Sequence, residues 1–131
     1  MIFFNHVVEK LLPCKSALNY GMKISLHSDA PMYSPNALRV AGGAVTRKTR
    51  NGMIINKDEA LTVTEALRGI TIDAAWQLFR EKEIGSIEVG KFADFTIIEK
   101  NPYEVDPDHI KDIKVITTYL SGLNTKEEPF I

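Results

Sequence analysis

Between Val7 and Tyr20 the apolar positions Val8, Leu11, Leu12, Ala17 and Leu18 fall at helical spacing, and Pro13 interrupts them. Proline inside a helix removes a backbone hydrogen bond and clashes with the preceding turn, so the pattern predicts two short helices. Gly21 then stands where a helix end commonly takes a left-handed residue. From Met22 to His27 apolar and polar positions alternate, which predicts a strand over about residues 22–28. Ser28-Asp29-Ala30-Pro31 ends it, because proline and short polar side chains favour a loop over continued pairing. Ser34-Pro35 resembles an N-cap followed by proline at the first helical position, and Leu38, Ala41, Ala44 and Val45 mark one face of a helix. Gly42-Gly43 inside that helix weakens it.

Thr62-Val63-Thr64-Glu65 matches a capping box, in which hydroxyl and carboxylate satisfy backbone N–H groups that a helix start leaves without partners. A helix to about Gly69 follows. After Thr71 a second helical stretch carries Ala74, Ala75, Leu78 and Phe79 toward a core and ends before Gly85. Beyond Gly85, Ile87, Val89, Phe95, Ile97 and Ile98 sit among turn residues, as short strands require, and Lys114 to Leu120 reads the same way. Asn101-Pro102 and Asp106-Pro107-Asp108 are turn signals, with Asp108 placed to cap one helical turn through Ile110. One strand among helices cannot bury both faces, and the late strands are too few to close a sandwich. The pattern is α/β, and incomplete on its own.

Composition narrows the class. At 131 residues, with 44% hydrophobic and 25% charged content, the chain reads as one soluble globular domain or one piece of a larger one. Sixteen basic residues against 17 acidic ones leave a net charge of -1, which gives no footprint for nucleic acid or an anionic membrane. Cys14 is the single cysteine, so no internal disulfide forms and a cytoplasmic location is the default expectation. The apolar opening Met1-Ile2-Phe3-Phe4 is broken by Asn5, His6, Glu9 and Lys10, short of a targeting or membrane-spanning length.

His27-Ser28-Asp29, at the C-terminal end of the predicted strand, is the strongest candidate for chemistry. Residues i and i+2 of a strand share a face, so His27 and Asp29 are expected to point the same way. If the strand belongs to a parallel barrel, that end is the catalytic mouth, where a carboxylate can ligate a metal and take a proton from water. The same pair also fits a strand-end cap with its polar groups satisfied. Cys14 beside Pro13, with no histidine placed to activate it, reads as a small, partly buried residue. Lys91 and Asp94 lie in a glycine-rich turn, where Asp94 is expected to bond backbone N–H groups. Trp76 and Phe79, one helical turn apart, read as a core edge. Arg47-Lys48-Thr49-Arg50 reads as a solvated helix end.

Six blocks taken in order resemble consecutive landmarks of the amidohydrolase superfamily: Ile24 to Pro31, Ser34-Pro35-Asn36, Ala44 to Arg47, Leu61 to Leu67, Thr71 to Ala75, and Gly85 to Phe95. They are similar in particular to its YtcJ-like branch, amidohydrolase family 3. The resemblance runs from about Pro13 to Asn124. It implies the last strand and helices of a (β/α)8 metallo-hydrolase barrel over residues 1–84, with strand 8 at about 22–28, then a small composite β-sandwich over 85–131. Asp29 matches the family's carboxylate after strand 8, which contacts metal and hydrolytic water and shuttles a proton to the leaving group. His27 and Ser28 stand beside it by position and are not carried over as ligands.

The resemblance also implies residues that this sequence lacks. Relatives take further metal ligands from a His-x-His after strand 1 and from residues after strands 4, 5 and 6. Here His6, His27 and His109 are the only histidines, none paired at ligand spacing on one element. A divalent metal, zinc being the expected ion, therefore belongs to a full-length parent, with none expected on this chain alone. The expectation is a fragment of a metal-dependent hydrolase of non-peptide carbon–nitrogen bonds, acting on a small molecule, inactive in isolation and homo-oligomeric. The alternative is a stand-alone, non-catalytic regulatory or interaction module derived from such an enzyme.

Overall fold

The computed structural model describes residues 11–126. Among the described residues four short helices come first: α1 (Cys14–Asn19), α2 (Ala37–Thr46), α3 (Val63–Gly69) and α4 (Ile72–Gln77). A three-stranded antiparallel sheet follows, of order β1 (Phe95–Ile98), β2 (Val115–Leu120) and β3 (Leu123–Asn124). Two 3-10 helices, Lys57–Glu59 and Pro107–Asp112, complete the elements. The helix expected from Val7 lies outside the described residues.

Each helix end has a local cause. Pro13 caps α1, and the helix closes through Gly21 at φ 78, with Gly21 N–H donating to Leu18 O and Met22 N–H to Ala17 O. That pair of bonds is a Schellman motif, which satisfies carbonyls at the helix end. The start of α2 differs from the expected Ser34-Pro35: Asn36 is the N-cap, its Oδ1 accepting from Arg39 N–H at 3.0 Å. An amide oxygen two residues nearer the helix serves better than a serine that Pro35 separates from it. The capping box at α3 is complete, with Thr62 Oγ1 accepting from Glu65 N–H and Glu65 Oε2 accepting from Thr62 N–H.

The core is formed by Ala41, Leu61 and Ala66, against which Cys14, Leu18, Ile24, Leu26, Ala44, Val45 and Ile70 pack. Small residues at its centre bring α2 and α3 close. Gly42 takes α2 onto the second 3-10 helix: a Cβ there would stand 3.2 Å from Lys111 N and 3.5 Å from Ile110 Cβ. Among the described residues Ile110 is the largest side chain fully buried, and it packs at the join between the helical half and the sheet half. The Lys48–Asp108 ion pair lies across the same join.

Several sequence expectations change here. Residues 22–28 form no strand ladder among the described residues. The segment is held instead by Leu26 N–H donating to Gly69 O at 2.9 Å. Ile87 and Val89 lie in an exposed loop, and only residues 95–98 of the expected strands pair with β2. Helix α4 stops at Gln77, so Leu78 and Phe79 do not reach the core: Phe79 is 90% exposed at φ 59. The cap of the second 3-10 helix is Asp106, not Asp108, with Asp106 Oδ1 accepting from Asp108 N–H. Arg47, expected in a solvated helix end, is buried.

In the sheet, Phe95 faces Tyr119 with stacked rings 4.6 Å apart, and Thr96 meets Thr118 through their hydroxyls. β2 turns into β3 through Ser121-Gly122, both at positive φ, as a two-residue hairpin turn requires. Asp94 Oδ1 accepts from Ser121 N–H at 2.7 Å and pins that turn, so its partner is a backbone N–H, distant in sequence. Thr117 is the one β2 residue that is buried, and Val115, Ile116 and Ile97 are exposed.

Candidate functional site

The segment that leads into His27-Ser28-Asp29 is anchored residue by residue. Ile24 and Leu26 pack against the core, and Gly69 leaves room for Leu26, whose Cγ would lie 3.0 Å from a Cβ there. Ser25 bonds the Gln77 side chain, and Lys23 Nζ stands 5.0 Å from the centre of the Trp76 ring. Alternate positions are thus tied to the core and to α4, although no ladder holds them.

At its end the backbone turns. Asp29 adopts φ 55 and its N–H donates to His27 Nδ1 at 3.1 Å, while its carbonyl accepts from Met32 N–H across the cis Ala30–Pro31 bond. An Asp tolerates the left-handed region better than most residues. The bond to Nδ1 ties the His27 ring to the Asp29 backbone.

His27, Ser28 and Asp29 line one cleft of about 390 Å³, together with Tyr33, Ser34 and Arg39, and with Leu12, Val40 and Gly43 as its apolar wall. His27 and Asp29 are both exposed and Ser28 is half-buried. The sequence reading brought the first three together and missed Tyr33, Arg39 and Leu12. Tyr33 and Arg39 had a signal, since both flank the α2 N-cap only four and ten residues after Asp29.

Arg47 supports the wall from behind. Its guanidinium donates to Ile55 O, Leu12 O and Leu11 O, at 3.1, 3.3 and 2.7 Å, and the residue is only 8% exposed. It also ends α2 in the left-handed conformation at φ 55. The planar fork of an Arg suits several carbonyls at once. Cys14 packs nearby, and burial pushes its thiol pKa up, which outweighs the opposing pull of Arg47. It is therefore a poor nucleophile.

The metal that the resemblance implies does not fit the described residues. No group of three or more His, Cys, Asp and Glu there could hold a metal ion. Asp29 offers oxygen, and Nδ1 of His27 accepts the Asp29 N–H. A separate cleft of about 290 Å³, lined by Lys100, Val105, Asp106, His109, Asp112 and Ile113, shares no residue with the first. Its His109 bonds Asp112 at 3.2 Å on an exposed turn.

Residues 3–123 match the amidohydrolase family, and the chain belongs to that family. It is 36% identical over 114 residues to an N-substituted formamide deformylase of Arthrobacter pascens, covering 87% of this chain and 21% of that one. It is 32% identical over 111 residues to the YtcJ protein of Bacillus subtilis (strain 168), covering 82% of this chain and again 21% of the relative. The fold is similar to the crystal structure of an amidohydrolase from Thermotoga maritima, with a TM-score of 0.63 at 24% identity, over 89% of this chain and 25% of that one. The chain thus spans about a fifth of the curated relatives it matches. Its match to them is that of a C-terminal amidohydrolase portion. Among the described residues no helix is long and apolar enough to cross a membrane.

Proposed function

We propose that this chain is the C-terminal portion of a hydrolase that cleaves a non-peptide carbon–nitrogen bond in a small molecule, and that Asp29 is its acid–base carboxylate. The observation that carries the reading is the placement of Asp29. It opens onto the cleft with its backbone held by His27, while the rest of the segment is tied down by Leu26 and Ser25. In that position its carboxylate takes a proton from the attacking water and returns one to the departing nitrogen. His27 holds its backbone, and Ser28 and His27 stand beside it without touching the substrate's reacting atoms.

In this reading residues 1–84 end a (β/α)8 barrel, whose strand 8 is the segment 22–28, and residues 85–131 return the chain into a small β-sandwich. A divalent metal, with zinc as the expected ion, would need ligands besides Asp29, and the described residues do not supply them. In this reading the full-length enzyme works in the cytoplasm as a homo-oligomer.

The family membership and the similarity to a deformylase support a panel of N-substituted formamides as first substrates. Release of primary amine by the full-length protein is the expected result. A full-length protein that folds and releases no amine from formamides, acylated amines or cyclic amides would overturn the catalytic reading.

A further inference from the structure

Past α2 the chain doubles back in a small hairpin, with Asn51 and Gly52 at its tip. Lys48 faces Ile54 across it, Thr49 N–H donates to Met53 O at 2.8 Å and Ile55 N–H donates to Arg47 O at 2.9 Å. Arg50, Asn51 and Gly52 close the loop, with Gly52 at φ 80 and its N–H donating to Thr49 O at 3.0 Å. That is a three-residue hairpin loop with glycine in its left-handed place. All three loop residues are exposed, and a Cβ on Gly52 would meet nothing within 4 Å. The Asn51 side chain makes no hydrogen bond among the described residues. Other asparagines are held differently: Asn36 and Asn124 commit their side-chain oxygens to Arg39 N–H and to the Thr117 hydroxyl, Asn19 lies in α1, and Asn101 precedes a proline without an N–H. Asn51 is the one asparagine in the sequence followed by glycine.

We propose that Asn51-Gly52 is a site of spontaneous deamidation, converted in the folded chain to isoaspartate and aspartate. The Gly52 nitrogen gives up its proton and attacks Asn51 Cγ. The N–Cγ bond forms, the Cγ–Nδ2 bond breaks, and ammonia leaves with the proton. Water then opens the five-membered imide, at the α carbonyl to give isoaspartate or at the γ carbonyl to give aspartate, so that amide and water become acid and ammonia. Glycine favours the attack because no Cβ hinders its nitrogen and its backbone has the widest freedom. The Gly52 N–H bond to Thr49 O has to open first, and one net backbone hydrogen bond slows the step by at most about tenfold. Each product carries a carboxylate that is ionised at neutral pH, next in sequence to Arg50, and lowers the net charge by one from its value of -1. Isoaspartate also adds a carbon to the backbone within the turn, which disturbs the register of Lys48 with Ile54.

The test compares the folded 131-residue chain with a peptide of residues 46–56, incubated side by side from neutral to mildly alkaline pH. Peptide mass spectrometry and an isoaspartate methylation assay follow position 51, and isoelectric focusing follows the charge. Position 51 of the folded chain is expected to convert at no less than about one-tenth of the peptide's rate, rising with hydroxide, and an acidic band should appear with it. Asn51→Gln, whose imide ring would be six-membered and closes far more slowly, is expected to remove that band and leave the thermal midpoint unchanged. A chain that keeps Asn51 intact while the peptide converts, or that converts only once urea unfolds it, overturns the proposal. So does an acidic band that persists in Asn51→Gln.

Discussion

At the scale of single residues, the least expected feature is Arg47. A basic run at a helix end is usually solvated, but the Arg47 acceptors are carbonyls 8, 35 and 36 residues away in sequence, which no local pattern announces. Replacing it by Met leaves three carbonyls without their donor, and a bond to a charged group is worth about 1.5–3 kcal/mol. Arg47→Met is expected to lower stability by about 2–3 kcal/mol in a urea titration, with Arg47→Lys recovering little of it. The carboxylates give a pH signature. Glu59 is held below the ordinary carboxylate range by the Ser16 hydroxyl first and the Ser16 N–H second. For Glu65 burial pushes upward, yet Lys15 and Thr62 together bring it below that range. A depressed folded pKa means that the stabilisation is present above the unfolded value, about 4.3, and is lost as pH falls through the folded value. The thermal midpoint should therefore fall as pH drops below about 4.3. Ser16→Ala, which removes one donor to Glu59, should make that fall shallower. An unchanged slope in Ser16→Ala would mean that Glu59 is not responsible.

At the scale of elements, what was legible was what is local. The Thr62–Glu65 capping box, the helix start after Pro13 and the glycine closing α1 stand where the sequence places them, because each is decided within a few residues. The strand over 22–28 was not legible as a ladder, since its alternation is satisfied here by the core on Ile24 and Leu26 and by α4 on Lys23 and Ser25. Leu78 and Phe79 fit the helical spacing of α4, but the helix ends before them and the chain turns at Phe79. The glycine pair of α2 illustrates the same division. From sequence both glycines weaken the helix equally; in the structure Gly43 faces open space, whereas Gly42 faces the Lys111 backbone at 3.2 Å. Gly43→Ala is expected to stabilise by about 0.5–1 kcal/mol through helix propensity. Gly42→Ala is expected to destabilise by about 1–3 kcal/mol, because a backbone nitrogen cannot move aside as a flexible side chain does. Chemical denaturation of the two variants separates them by sign, and a gain in both would show that α2 and the 3-10 helix have room to part.

For the molecule as a whole, the surface says more than the core. Tyr20, Leu78, Phe79, Ile87 and Val89 are each more than 60% exposed, an apolar load that an isolated chain does not leave in water without consequence. The 131-residue chain is accordingly expected to associate, and light scattering at micromolar concentration should report a dimer or larger species. A monodisperse monomer would show that these side chains find cover within the chain. Because no group of three or more His, Cys, Asp and Glu among the described residues could hold a metal ion, the same preparation should retain no stoichiometric zinc after dialysis, by elemental analysis. About one zinc per chain would contradict that. Of the candidate cleft, His27, Ser28 and Asp29 were legible because they lie together in sequence. Its far wall was not, since it depends on how α2 and Leu12 fold back beside them. The central claim is that Asp29 moves the proton, and the full-length protein carrying Asp29→Asn tests it most directly. Its kcat should fall by about 10²–10⁴-fold with little change in thermal midpoint, while His27→Asn, which disturbs only the backbone bond behind Asp29, should lose less. A near-normal kcat in folded Asp29→Asn would contradict the account.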